Sequence, residues 1–230
     1  MSNRIAIFID GSNLYHALKT NFRRHDLNFT EFANRLCASR RLFRIYYYNV
    51  LQDPAQWPET HRDQQEFLNI LRMTPYLEVR LGSTKIGQGV QVEKGVDIML
   101  ATDMLYFAWN DFYDIGVLVS GDGDFVYALQ AVKNLGKYVE VAYFRSGISK
   151  NLLDIADNRQ LLDRSFFRGL WVGKDDTIRR RSGGKVKAPP VVSKEVSIIS
   201  PDTTLTTPLF PRENIRPEEK QSQDIGGLPF

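Results

Sequence analysis

One cysteine in 230 residues, Cys37, leaves no partner for an intrachain disulfide, and with only three histidines no Cys-based zinc cluster can be assembled. Beside Leu36 it reads as a small buried hydrophobe, and so few thiols suit a reducing compartment. No apolar run approaches about 18 residues, and the start lacks a basic segment followed by an apolar one, because Arg4 leads straight into a short run ending at Asp10. The expectation is a soluble, cytoplasmic protein without membrane contact. An excess of one charge is missing as well. With 30 Lys and Arg against 27 Asp and Glu, the net charge of +3 gives no global basic field, so nucleic-acid binding would rest on local patches.

Proline is scarce early: seven of the ten lie beyond Trp171, among Ser, Thr, Lys and Glu and without sustained apolar periodicity. The expected organisation is a folded domain over 1–170 and a disordered tail over 171–230. Arg179, Arg180 and Arg181, with Lys185 and Lys187, read either as a basic arm for a polyanion or as a solvated linker. Before the tail, 43% hydrophobic and 12% aromatic content suffices for one sizeable core.

Elements alternate in that region. Strands are predicted near 4–9, 43–50, 76–81, 115–119 and 138–142, and helices near 12–22, 29–38, 60–71, 96–107, 125–135 and 150–156. Such alternation implies right-handed crossovers around a mostly parallel sheet, an α/β fold. Residues 82–92, with Gly82, Gly87 and Gly89, read as a mobile loop.

Acids stand at the ends of these strands. The buried-type run Ile115, Gly116, Val117, Leu118, Val119 ends in Ser120, Gly121, Asp122, Gly123, Asp124. Ile5 to Ile9 end likewise at Asp10, with Gly11, Ser12 and Asn13 opening a helix, and Asp97 falls in the first turn of an apolar helix opened by Lys94 and Gly95. In open α/β sheets the carboxyl edge is where ligands bind. Each acid also has a structural reading: Asp10 as turn former, Asp122 or Asp124 as helix cap, Asp97 as a charge at a helix start. Together they favour chemistry, since unit charges about 4 Å apart repel by roughly 4 kcal/mol at an effective dielectric near 20. Such a cluster must bind protons or a cation. All-oxygen ligands suit Mg²⁺ or Mn²⁺, which can activate a water and stabilise charge on a phosphoryl group.

Other phosphate chemistries fail on spacing. Gly82 and Gly87 have the first Walker spacing, but Gln88 and Gly89 replace the required Lys and Ser or Thr. Val92 stands where a dinucleotide fingerprint needs its third glycine, so no nucleotide cofactor is expected. After Asp10 the second acid of haloacid-dehalogenase-type phosphatases is absent, and so is a Gly-x-Ser-x-Gly elbow.

The segments Phe8-Ile9-Asp10-Gly11-Ser12-Asn13-Leu14, Lys94-Gly95-Val96-Asp97-Ile98 and Ser120-Gly121-Asp122-Gly123-Asp124-Phe125 resemble, in order and spacing, the signature of LabA-like NYN-domain proteins within the PIN-like nuclease superfamily. The likeness covers about 4–163, and the stretch 149–157 is similar to the family's last helix. It implies a three-layer Rossmann-like PIN/NYN domain and a Mg²⁺- or Mn²⁺-dependent ribonuclease site. Asp10, Asp97, Asp122 and Asp124 fall on the acidic, metal-holding positions, and Asn13 and Ser120 on polar positions beside them. Asp157 is implied as a supporting acid or as the end of a helix. RNA is the implied partner, and a homo-oligomer is compatible with the family.

Asp103, six residues after Asp97, projects about 120° away round the helix and is left outside the metal site, as partner of a neighbouring loop or a solvated acid. Lys94 is a candidate phosphate contact. Arg23, Arg24, Arg40, Arg41 and Arg44, interleaved with Phe22, Phe43 and Tyr46 to Tyr48, read as a nucleic-acid surface or as a solvated face. Three functions follow: a metal-dependent endoribonuclease, an RNA- or protein-binding regulator that retains the acidic pocket, and a small-molecule phosphatase.

Overall fold

The computed structural model describes residues 3–173 except Gln88 and Gly89, with 83–94 described by backbone alone. The tail expected to be disordered lies, from residue 174 on, outside the described residues, and its basic cluster with it. In chain order the elements are β1 (Arg4–Asp10), α1 (Gly11–Phe22), α2 (Phe29–Cys37), β2 (Arg41–Val50), α3 (Pro58–Arg72), β3 (Leu77–Gly87), β4 (Val90–Lys94), α4 (Val96–Trp109), β5 (Ile115–Val119), α5 (Val126–Asn134), β6 (Tyr138–Tyr143), α6 (Lys150–Ile155) and β7 (Asn158–Leu161).

The strands form one sheet in the order β4-β3-β2-β1-β5-β6-β7, antiparallel only at β4. The expected three-layer α/β architecture is thus present. Its cause is visible in β1, whose residues 5–9 are all fully buried. Ile5, Ile7 and Ile9 enter one core with Leu14 and Leu18 of α1, Phe32 of α2 and Leu68 of α3. Ala6 and Phe8 enter the other, with Leu100 and Met104 of α4, Leu129 of α5 and Leu152 of α6. Burying each large side chain contributes about 1.5–3 kcal/mol, so a two-faced apolar strand is held at the centre of the sheet. Tyr46 and Tyr48 share one core and Tyr47 the other, so the three tyrosines are core residues.

From β1 the chain builds outward through β2 and β3, then returns by α4 to β5 on the other side of β1. The order of construction therefore reverses between β1 and β5, and a crevice opens at their carboxyl ends.

Gln88 and Gly89 aside, residues 82–92 are not the expected loop. They form most of a hairpin in which Ser83 pairs with Lys94 and Gly87 with Val90. Glycine content suggested a loop, whereas antiparallel pairing within the same segment satisfies its backbone. Two further features had no signal in the sequence: the short strand β7, and the stretch after it that lays Phe166, Phe167, Leu170 and Trp171 on the first core. Leu27 and Trp171 form an isolated bridge, and Phe167 stacks between Phe32 and Phe144. Among the described residues no helix is long and apolar enough to cross a membrane.

Candidate active site

Asp10 is the last residue of β1 and the N-cap of α1. Its Oδ1 accepts the Asn13 N–H at 3.0 Å, satisfying one of the free donors of the first helical turn. Its Oδ2 accepts the Ser120 hydroxyl at 2.9 Å, which joins the ends of β1 and β5. Ser120 in turn accepts the Asp122 N–H at 3.1 Å, and Asp122 Oδ1 accepts the Asp124 N–H at 3.0 Å. Asn13 Oδ1 closes the circuit by accepting the Gly121 N–H at 3.2 Å. The two expected polar neighbours are therefore the groups that hold the acidic loops in register.

Two glycines allow this closeness. A Cβ on Gly11 would stand 2.5 Å from the Tyr48 carbonyl oxygen, and one on Gly121 would stand 2.5 Å from the Gly147 oxygen. No side chain fits at either point.

Asp10, Asp97 and Asp122, with Ser12, Asn13, His16, Gly95 and Val96, line a cleft of about 300 Å³. Asp97 stands at its rim, exposed, in the first turn of α4, which Gly95 enters at a φ of 84°. Asp124, also exposed, lies outside the lining, on a single 3₁₀ turn ahead of α5 that Asp122 caps. The side chain of Lys94 falls outside the described ones. His16 carries no motif signal; its place three residues after Asn13, one turn along α1, brings it to the cleft.

Burial pushes the Asp10 carboxyl above its usual range, and the charges of Asp97 and Asp122 add to the rise against the opposing Asn13 and Ser120 hydrogen bonds. The Asp97 carboxyl is raised as well, by burial first and then by Asp122 and Asp124. Repulsion within the cluster is thus a property of the fold. Among the described residues no three His, Cys, Asp or Glu side chains form a ready-made metal site. A divalent cation fits the group through donor chemistry and charge: hard carboxylate oxygens, one deeply buried, on a cleft open to solvent.

Other expected participants lie elsewhere. Asp103 accepts the Tyr48 hydroxyl at 2.9 Å, with Arg80 Nε at 3.9 Å, so its partners come from β2 and β3 rather than from a loop. Asp157 accepts the Val139 N–H at the start of β6 and pairs with Lys133 at 2.7 Å. It is therefore at the amino edge of the sheet, away from the cleft, where it links α5 to β6. Among the arginines, Arg24 pairs with Asp26 and lies over Trp171, Arg40 grips Glu140 by both nitrogens, and Arg44 pairs with Glu78. Arg23 caps the far end of α1 and Arg41 begins β2. None of these five lines the cleft.

A parallel α/β sheet whose acids gather at the β1/β5 crevice, with the order of motifs seen here, defines a class, and the sequence model of the NYN domain matches residues 4–163. The chain belongs to the NYN domain family, in its LabA-like branch. The Low amplitude and bright protein LabA of Synechococcus elongatus (strain ATCC 33912 / PCC 7942 / FACHB-805) is 30% identical over 180 residues, which cover 71% of this chain and 89% of LabA. The crystal structure of a protein of unknown function from Vibrio parahaemolyticus is 25% identical and superposes with a TM-score of 0.60, over 72% of this chain and 96% of that one.

Proposed function

We propose that this protein is a Mg²⁺- or Mn²⁺-dependent endoribonuclease of the cytoplasm, acting in RNA processing or turnover. The observation that carries the reading is the convergence of Asp10, Asp97 and Asp122 on one cleft at the switch point of the sheet, with Asp10 buried and its charge opposed by the other two. Asp10, Asp97 and Asp122 would hold the ion, and Asp124 would help hold it or orient the attacking water. When bound, such an ion supplies an activated water and stabilises the charge that develops on a phosphoryl group. Asp10 provides the fixed ligand, because Asn13 and Ser120 hold both of its oxygens. Asp97 and Asp122 reach the cleft from separate elements, and their charges keep it free of other anions until a cation screens them. Lys94, Asn13 and Ser120 are the residues proposed to meet the RNA or to position what meets it.

One observation favours a second reading, a regulator that binds RNA or protein without cleaving it. Asp10 and Asp122 both cap local turns, so a binding module would retain them for the fold alone. A single assay separates the two. Purified protein is incubated with 5′-labelled single-stranded and structured RNAs in Mg²⁺, Mn²⁺ or EDTA, beside Asp122→Asn. Metal-dependent cleavage that the variant loses supports the nuclease; intact RNA with equal binding by both proteins leaves the regulator.

A further inference from the structure

We infer that a second groove, at the carboxyl ends of β6 and β7, is a phosphate-binding subsite for single-stranded RNA, an inference that rests on the RNA reading above. The groove has a volume of about 220 Å³ and is lined by Asn21, Phe22, Phe144, Arg145, Leu161, Leu162, Asp163 and Arg164. Its floor is apolar, formed by Phe22, Phe144 and Leu162, which also pack on the first core. Its rim is polar, and Arg145 and Arg164 are both exposed.

The two arginines differ from Arg4, Arg24, Arg40 and Arg44, each of which has a carboxylate within hydrogen-bond distance. Among the described residues neither Arg145 nor Arg164 forms such a pair. Asp163 also lines the groove and feels the charge of Arg145 without forming an ion pair with it, while its Oδ1 accepts both the Ser165 hydroxyl at 2.5 Å and the Phe166 N–H at 2.9 Å. Two guanidinium groups beside an apolar floor have the character of a nucleotide subsite, with phosphate on the cations and the face of a base against the floor.

The groove is joined to the acidic cleft. Residues 144–149 run from one to the other: Phe144 and Arg145 line the groove, while Ser149 donates its N–H to the Gly121 carbonyl at 2.9 Å, beside Asp122. On the opposite side α1 spans the two sites, with Asp10 and Asn13 at the cleft and Asn21 at the groove, about 16 Å along the helix from Asp10. Asn21 also donates to Ser146 Oγ at 3.3 Å, tying the far end of the helix to the connecting loop. A short oligonucleotide can occupy both sites, and neither Arg145 nor Arg164 belongs to the acidic constellation.

The test uses the full chain in EDTA, so that binding is read without cleavage, with a 5′-fluorescein single-stranded RNA followed by anisotropy from about 50 to about 200 mM salt. Arg145→Gln with Arg164→Gln should weaken binding about tenfold at the lower salt and reduce the slope of log affinity against log salt by about 1.4, two phosphate contacts at about 0.7 each. Arg145→Lys with Arg164→Lys should restore most of the slope. Arg62→Gln with Arg72→Gln, the same loss of charge on the exposed face of α3, should leave it unchanged; circular dichroism verifies that each variant is folded. An equal loss in that control, an unchanged slope in the groove variant, or no RNA binding by the parent chain overturns the subsite. The nuclease reading is judged separately in Mg²⁺: arginine-dependent binding without cleavage keeps the groove and removes the enzyme, and cleavage with binding indifferent to these arginines does the reverse.

Discussion

Asp10 serves two demands that oppose each other. Its hydrogen bonds stabilise the junction of β1, α1 and β5, while its charge is disfavoured by burial and by Asp97 and Asp122. Because its folded pKa lies above the ordinary value near 4, the native state holds the proton longer than the unfolded one as pH rises through that window. Stability from this group is therefore present at low pH and lost on the way to neutrality. In metal-free protein, Asp10→Asn should flatten the fall in urea midpoint above about pH 4. Mg²⁺ at a hundredfold excess over its Kd should stabilise the parent chain by about 2.7 kcal/mol, raising its melting temperature, and Asp10→Asn should lose most of that rise in a calorimetric scan. Neighbouring residues are less ambivalent. Ser120→Ala, which removes a buried donor and acceptor at once, should cost about 1–3 kcal/mol in chemical denaturation. Cys37, pushed up to about 11 by burial, should resist maleimide at neutral pH until the protein unfolds.

The helices and strands show where sequence was informative. Strand β1 was legible because a two-faced apolar run has few alternatives, and the strand-end acids because their glycines mark tight turns. The β3–β4 hairpin was hidden by the same cue, since a glycine-rich stretch reads as a loop while its strand pairing leaves no sign in the sequence. The roles of Asp103 and Asp157 were not legible, because each is set by a partner distant in sequence: Tyr48 for one, Lys133 and Val139 for the other. Lys133 also donates to the Ile155 carbonyl at 2.9 Å and so holds the end of α6. Lys133→Ala should cost about 1 kcal/mol and speed hydrogen exchange in α6, while leaving any Mg²⁺-induced rise in melting temperature intact. At the centre of α4, Leu100 is fully buried, and Leu100→Ala should cost about 2–5 kcal/mol in urea.

Across the domain, two cores on opposite faces of one sheet fix the shape, and the chain from 4 to 163 accounts for nearly all of it. The crevice between β1 and β5 joins segments that meet late. Ile5 pairs with Ile115, and every partner of Asp10 across that seam lies beyond residue 114. Such long closures slow folding relative to local contacts. During synthesis, then, β1 waits with one edge unpaired while the next hundred or so residues are made, and a chain interrupted before β5 has an exposed central strand and half of its acids. Until β5 emerges, nascent chains lack the finished cleft and leave an edge of β1 open to strand pairing with one another.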